Sequence, residues 1–292
     1  MLIIKIHYGL GNQLFQYAFG RSLSLRKKIP FFLDVHFYRS QQQSSEHPRL
    51  YQLDQFNIKE NIISDEDVSS FINPDFWQRR SANLGCLIKP YYKRRIVYER
   101  GLSFDKHMWE VEDDVYLAGY WQDLRYFADV EDVIRKDLSF KNEAVGENKE
   151  MLSRLLNVES VGIHVRRGDY LTDEKTIELA GVADLPYYNG ALSFMNAKLT
   201  NPQYFVFTDD PDWVRTHFDV EVQFELVTIN GQDKGYEDLH LLSHCRHQVI
   251  SNSSFGWWGA WLNNHPGKIV VAPKVWRKNG VDMFKPEAWT LI

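Results

Sequence analysis

Two stretches of this chain alternate apolar runs of strand length with helical patterns, and that alternation constrains the fold more than any other feature. In the first, Leu2-Ile3-Ile4-Lys5-Ile6 reads as a buried strand and Tyr8-Gly9-Leu10-Gly11-Asn12 as a turn. A helix pattern then starts near Gln13, with Leu14, Tyr17 and Ala18 on one stripe and Phe15, Phe19 and Leu23 on the next. Arg26, Lys27 and Lys28 suit the negative end of that helix, Pro30 punctuates, and Phe31-Phe32-Leu33-Asp34 returns as a strand. A strand, helix, strand unit of about thirty residues is a parallel βαβ start. In the second stretch, strands at 161–165, 204–207, 224–229, 247–250 and 269–272 alternate with helices at 187–199, 212–218, 236–243 and 255–262. This order predicts an α/β fold with parallel, doubly wound sheets, whose ligands lie at the carboxyl ends of the strands.

A length of 292 residues suits two domains, and the charged, apolar-poor stretch 142–150 separates them, giving 1–148 and 149–292. Between about 39 and 100 the pattern is poor. Residues 41–45 read as loop, 65–70 as a helix start with Ser64 and Asp67 in capping-box positions, and Lys93-Arg94-Arg95 shows no period.

Composition excludes several classes. With 44% hydrophobic and 25% charged residues the chain is an ordinary globular protein, and 34 basic against 39 acidic residues leave a net charge of −5, with no footprint for nucleic acid. Cys86 and Cys245 are too few for a disulfide framework or a cysteine-built zinc site and favour a reducing compartment. No window is apolar for about eighteen residues, so no integral membrane segment is expected and the expected location is cytoplasmic. Aromatic residues reach 14%, including nine Trp, an excess that serves cores and also sugar-binding clefts.

Four strand-to-loop junctions could carry chemistry. After the first strand, Gly9 and Gly11 match the first two glycines of a dinucleotide fingerprint and Asp34 closes the second strand, but Leu14 stands at the third glycine. A nicotinamide-dependent oxidoreductase is therefore one reading and a plain tight turn another; a third is a turn whose backbone N–H groups and Asn12 side chain face a phosphate or sugar oxygen. In the second half, His164-Val165-Arg166-Arg167-Gly168-Asp169-Tyr170 puts two guanidinium groups and a carboxylate at a strand end, suited to bidentate phosphate binding, with an Arg167–Asp169 ion pair and a buried His164 imidazole as the structural readings. Phe207-Thr208-Asp209-Asp210 offers carboxylates that could read guanine's N1–H and N2–H₂ donors, or cap the next helix. Ser251-Asn252-Ser253-Ser254-Phe255 supplies more hydroxyls than one N-cap needs, ahead of Trp257 and Trp258, which read as core.

Three of these motifs together resemble the bacterial α-1,2-fucosyltransferases: residues 7–18, 164–170, and 252–260, with lesser matches at Gly119-Tyr120-Trp121-Gln122, Pro186-Tyr187-Tyr188 and the tail from Pro273 through Trp276 to Trp289. One departure is His7-Tyr8-Gly9, where the family usually has two glycines before the leucine. The resemblance implies a GT-B fold of two Rossmann-like halves, the first on the acceptor side and the second binding GDP-fucose. It implies transfer of fucose to the 2-hydroxyl of a terminal galactose in a glycan, with inversion and without metal or other cofactor. Arg166 would grip the donor pyrophosphate, with Ser253, Ser254 and Phe255 on the phosphate side and His164, Arg167, Asn252, Gly9 and Gly11 around the substrates. Asn12 would orient a sugar, and Asp169 is the favoured base, Glu174 the second, with no enzymatic base as a third reading. Peripheral association with membranes carrying lipid-linked glycans fits the same function. A fucosyltransferase of another linkage and a non-catalytic sugar-binding protein are the remaining readings; the latter has no need of adjacent arginines and serine-rich helix starts.

Overall fold

The computed structural model describes residues 1–44, 49–59, 61–72, 89–167, 183–277 and 285–292, with the side chains of 41–44 omitted. The chain divides into two compact units, Met1–Lys141 and Asn142–Ile292, a few residues earlier than composition suggested. The reason is the helix Gly146–Asn157, hidden in the charged stretch, which buries Met151 and Leu155 in the second unit's core.

The first unit is built on β1 (Leu2–Lys5), β2 (Phe31–Asp34), β3 (Ile96–Tyr98) and β4 (Val115–Ala118), all parallel, in the order β2-β1-β4-β3. The first helix runs from Leu10 to Lys27, three residues ahead of its expected start, and is buried along most of its length. Its start is set by the Gly9 carbonyl, which accepts the N–H groups of Asn12 and Gln13 at 2.9 and 3.2 Å. Lys28 ends it in the left-handed region, its N–H returned to the Ser24 carbonyl, with Arg26 and Lys27 in the last turn. Leu14 is fully buried, and the close approach of helix to sheet is made instead at Gly20. A Cβ there would lie 2.5 Å from Ile4 Cγ1 and 3.3 Å from Phe31 Cδ2. A buried Arg21–Asp137 ion pair of 2.7 Å and the Tyr17 hydroxyl, donating to the same carboxylate at 2.8 Å, tie this helix to the helix Glu131–Asp137.

The poorly patterned region contains ordinary elements. Of the residues expected as loop, 41–44 lie in the helix His36–Ser44 and Ser45 lies outside the described residues, while Asp65–Ile72 is a helix, as expected, and Ser64 Oγ accepts the Asp67 N–H.

The second unit carries β5 (Ser160–Val165), β6 (Gln203–Thr208), β7 (Phe224–Leu226), β8 (His247–Val249), β9 (Val270–Ala272) and β10 (Thr290–Leu291), parallel throughout, in the order β10-β9-β8-β5-β6-β7. Counted within the unit this is the doubly wound order 3-2-1-4-5-6, whose strand order reverses between β5 and β8. In the four-stranded sheet β1 and β4 lie side by side at the centre. Trp257 and Trp258 are fully buried, as expected. Among the described residues no helix is long and apolar enough to cross a membrane.

Candidate active site

In a doubly wound sheet the crevice opens where the strand order reverses, so the residues following β5 and β8 come together at one end of the second unit. His164, on β5, bridges them: its Nδ1 is 2.9 Å from Ser251 Oγ, and its ring stacks on Phe255 with centroids 5.3 Å apart. Burial, and then the Arg166 charge, pushes His164 down to about 3, so the imidazole is neutral. It fixes the Ser251 loop rather than adding a cation. Gly256 is what lets the helix Ser254–Leu262 sit against that ring, since a Cβ there would fall 2.7 Å from His164 Nδ1.

The two arginines are held differently. Arg166 Nη1 lies 3.0 Å from Asp209 Oδ2, both side chains about four-fifths covered, and Asp209 Oδ1 accepts the backbone N–H of Arg167 at 2.9 Å. Arg167 lays its guanidinium over the Trp213 ring at 3.7 Å and has its Nε 4.0 Å from Asp210 Oδ2. Asp210 also caps the helix Pro211–His217 by accepting the Trp213 N–H at 3.0 Å. Both carboxylates expected to read guanine therefore have work inside the protein, Asp209 on the arginine loop and Asp210 at a helix start. The Asp209 contacts follow from β6 lying directly beside β5, an adjacency no local pattern displays, whereas the Asp210 cap is the helix-capping reading that the sequence offered.

Ser253 is the N-cap residue of the Ser254–Leu262 helix, makes no side-chain cap bond and is almost fully buried. Asn252 is buried too and donates from Nδ2 to the Trp276 carbonyl at 3.2 Å. Ser254 and Phe255 occupy the first turn, half-buried. The structure thus brings His164, Arg166, Arg167, Asp209, Asn252, Ser253, Ser254 and Phe255 to one end of one sheet. Asp169 and Glu174, with Gly168 and Tyr170, lie outside the described residues. No group of three or more His, Cys, Asp or Glu placed to hold a metal ion occurs among the described residues.

In the first unit the segments that follow β1 and β4 meet at the carboxyl ends of these paired strands. Asn12 Oδ1, in the first turn of the Leu10–Lys27 helix, accepts from Gln122 Nε2 at 2.6 Å, joining the two. Gly11 is buried in the first helical turn and Gly9 precedes it, so the open run of backbone donors expected at 9–12 is shortened by the bonds to the Gly9 carbonyl. Asp34 is not placed for a ribose: it is buried, accepting from Tyr116 Oη at 2.7 Å and from the His36 N–H at 3.0 Å. With Leu14 at the third-glycine position, this removes both marks of a dinucleotide site.

Two residues to which sequence reasoning gave no role hold these segments together. Gln16 accepts the His7 N–H at 3.0 Å and gives its amide protons to the Gly119 carbonyl at 3.1 Å and to His7 Nδ1 at 2.8 Å. His7 is thereby the Nε2–H tautomer, and burial, then the Lys5 charge, lowers it to about 4. Gln13 accepts the Gln52 N–H and donates to the carbonyls of Leu50 and Tyr8. The available signal was two glutamines three apart on an otherwise apolar, buried helix.

Comparison with known proteins gives the family and the type of fold. The family model described as Glycosyl transferase family 11 matches residues 1–291. An alpha-1,2-colitosyltransferase of Escherichia coli is 28% identical, over 100% of this chain and 99% of its own length. The galactoside alpha-(1,2)-fucosyltransferase 1 of Saimiri boliviensis boliviensis is 26% identical over 59% of this chain and 49% of that protein. Among solved structures, the fucosyltransferase NodZ from Bradyrhizobium superposes with a TM-score of 0.51 at 16% identity, covering 89% of this chain and 92% of that one. POFUT1 in complex with GDP superposes with a TM-score of 0.50 at 11% identity, covering 99% and 97%. These likenesses bear out the GT-B type of fold expected from the sequence. With its family model spanning nearly every residue, the chain belongs to glycosyltransferase family 11.

Proposed function

We propose that the protein transfers L-fucose from GDP-β-L-fucose to the 2-hydroxyl of a terminal galactose, with inversion to an α-1,2 linkage. The observation that carries this reading is Arg166, held by Asp209 at the end of β5, beside the strand that leads into the serine-rich helix start. A departing diphosphate gathers negative charge in the transition state, and a fixed guanidinium fork and helix N-terminus aimed at it stabilise that charge without reorganising. Arg166 does here what a divalent ion does elsewhere, and the reaction is proposed to need no metal. The acceptor oxygen bonds to the anomeric carbon as the bond to the β-phosphate oxygen breaks, GDP leaves with the electron pair, and the hydroxyl proton passes to Asp169. A single displacement turns a β-linked donor into an α-linked product. The reaction is assigned to the cytoplasm and, where the acceptor is lipid-linked, to the membrane surface.

The acceptor hydroxyl is supported by the α-1,2 linkage in the names of the relatives from Escherichia coli and Saimiri. The colitosyltransferase similarity over the full length favours a second reading of the donor, with colitose in place of fucose. Incubating the protein with GDP-fucose and lactose and locating the new bond by NMR tests both points. An α bond to galactose C2 supports the proposal; fucose on the glucose residue refutes the acceptor; transfer only from the corresponding colitosyl donor refutes fucose.

A further inference from the structure

The segments after β1 and β4 contain a feature the transfer chemistry described so far does not use. Tyr8 has a φ of +65°, in the left-handed region that a bulky side chain rarely enters. On the loop after β4, Trp121 has a φ of +54°. Both strained turns are locked by their surroundings. The Tyr8 carbonyl accepts from Gln13 Nε2 at 3.1 Å and Tyr38 Oη at 2.8 Å, and Glu99 accepts the N–H groups of Tyr120 and Trp121 at 2.6 and 3.0 Å. Strain over-determined in this way clusters at ligand sites.

The strain also has a visible product. Trp121 is buried, but Tyr8 is 45% exposed, an unusual cost for an aromatic ring in a conformation glycine would adopt freely. Its ring stacks on Tyr120 at 5.7 Å and 27°, with Phe37 at 5.3 Å and His7 at 4.9 Å, all three half-buried. The result is an aromatic surface at the carboxyl ends of β1 and β4, with the Asn12–Gln122 amide pair at the same strand ends, Asn12 in the first turn of the Leu10–Lys27 helix and Gln122 on the loop after β4. An aromatic face beside amide groups is the chemistry that recognises a pyranose, whose C–H face stacks while its hydroxyls hydrogen-bond.

We propose that Tyr8, backed by Tyr120 and Phe37, is the platform on which a pyranose ring of the acceptor stacks, and that it sets acceptor preference in this chain. This deepens the reading under Proposed function and rests on it for the word acceptor. The test is saturation-transfer NMR with free lactose on the wild-type protein, Tyr8→Gly and Tyr8→Phe, alongside acceptor KM, GDP affinity and thermal midpoint. Tyr8→Gly removes the ring and relieves the backbone, so its thermal midpoint should hold or rise and its GDP affinity should be unchanged. Saturation of the lactose protons should fall and acceptor KM rise about tenfold, the scale of one aromatic contact, while Tyr8→Phe stays near wild type. Equal saturation transfer in wild type and Tyr8→Gly overturns the platform. Tyr8-dependent lactose binding by a protein that transfers no fucose supports the platform and counts against the transferase reading alone.

Discussion

Asp209 Oδ2 lies 3.0 Å from Arg166 Nη1, while the other oxygen of the same carboxylate takes the backbone N–H of Arg167. One side chain on β6's end thus fixes both the direction of the guanidinium and the path of the loop that bears it. Arg166→Lys should lose about 10²-fold or more in kcat, because an ammonium cannot reproduce the planar fork. Asp209→Asn keeps an acceptor for the Arg167 N–H but removes the negative charge that faces the Arg166 guanidinium, so its loss should be smaller, about tenfold. Steady-state kinetics on both variants checks this order. An Arg166→Lys enzyme within a few-fold of wild type would move the phosphate role to Arg167 or elsewhere.

Removal of divalent ions should leave transfer intact, since the charge on departing GDP is assigned to Arg166 and the Ser254–Leu262 helix start. The measurement is initial rate before and after dialysis against EDTA. Activity lost there and restored by Mg²⁺ or Mn²⁺ would reassign carboxylates such as Asp209 and Asp210 as ligands.

Asn12 and Gln122 meet at 2.6 Å beyond the carboxyl ends of β1 and β4. Asn12→Ala should therefore harm transfer more than GDP binding, and Gln122→Ala should produce much of the same defect. Because the residues act as a pair, the double variant should be about as impaired as the worse single one. Additive losses in kcat/KM, or equal damage to GDP affinity measured by calorimetry, would detach the pair from sugar orientation.

The sequence made the second unit's site legible because its residues sit directly after long apolar strands: Arg166 after Ser160–Val165, and Asp209 after Gln203–Thr208. What each residue does there was less visible. Asp209 and Asp210 read as guanine readers or helix caps; Asp210 is the cap, but that Asp209 stands against Arg166 is visible only once β6 is known to pair with β5. The strands Ile96–Tyr98, Val115–Ala118 and Thr290–Leu291 escaped notice because runs of two to four residues show no period. The first helix was read as starting late because Gly9, Gly11 and Asn12 are turn formers by composition, whereas Gly9 serves as N-cap and the other two lie inside.

Gly20 makes the helix-to-sheet approach that the fingerprint glycine would otherwise make. Gly20→Ala would gain about 1 kcal/mol of helix propensity but set a methyl 2.5 Å from Ile4 Cγ1, and overpacking of that kind costs about 1–3 kcal/mol. The clash should prevail, lowering the urea midpoint of the first unit while GDP affinity in the second is unchanged. A midpoint at or above wild type would mean the helix can shift outward freely.

Acid should destabilise both units, for reasons that differ in sign by residue. His7 in the first unit, and His164 and His240 in the second, are lowered to about 4, 3 and 4, chiefly by burial, from an ordinary value of 6.5. Each therefore contributes stability fully present above 6.5 that is lost as pH falls toward its folded value, because only the unfolded chain takes up the proton. Asp238 works the other way: burial raises it to about 6 from 3.8, so its contribution is present below 3.8 and lost as pH rises through 6. In the second unit three lowered histidines, His164, His240 and His265, oppose two raised carboxyls, Asp238 and Glu237, and in the first no raised carboxyl among the described residues opposes His7, so both should weaken between pH 6.5 and 4. Urea midpoints at successive pH values, followed by probes in each unit, give the test. His164→Asn should flatten the second unit's dependence, and midpoints that hold or rise on acidification would contradict neutral, buried histidines.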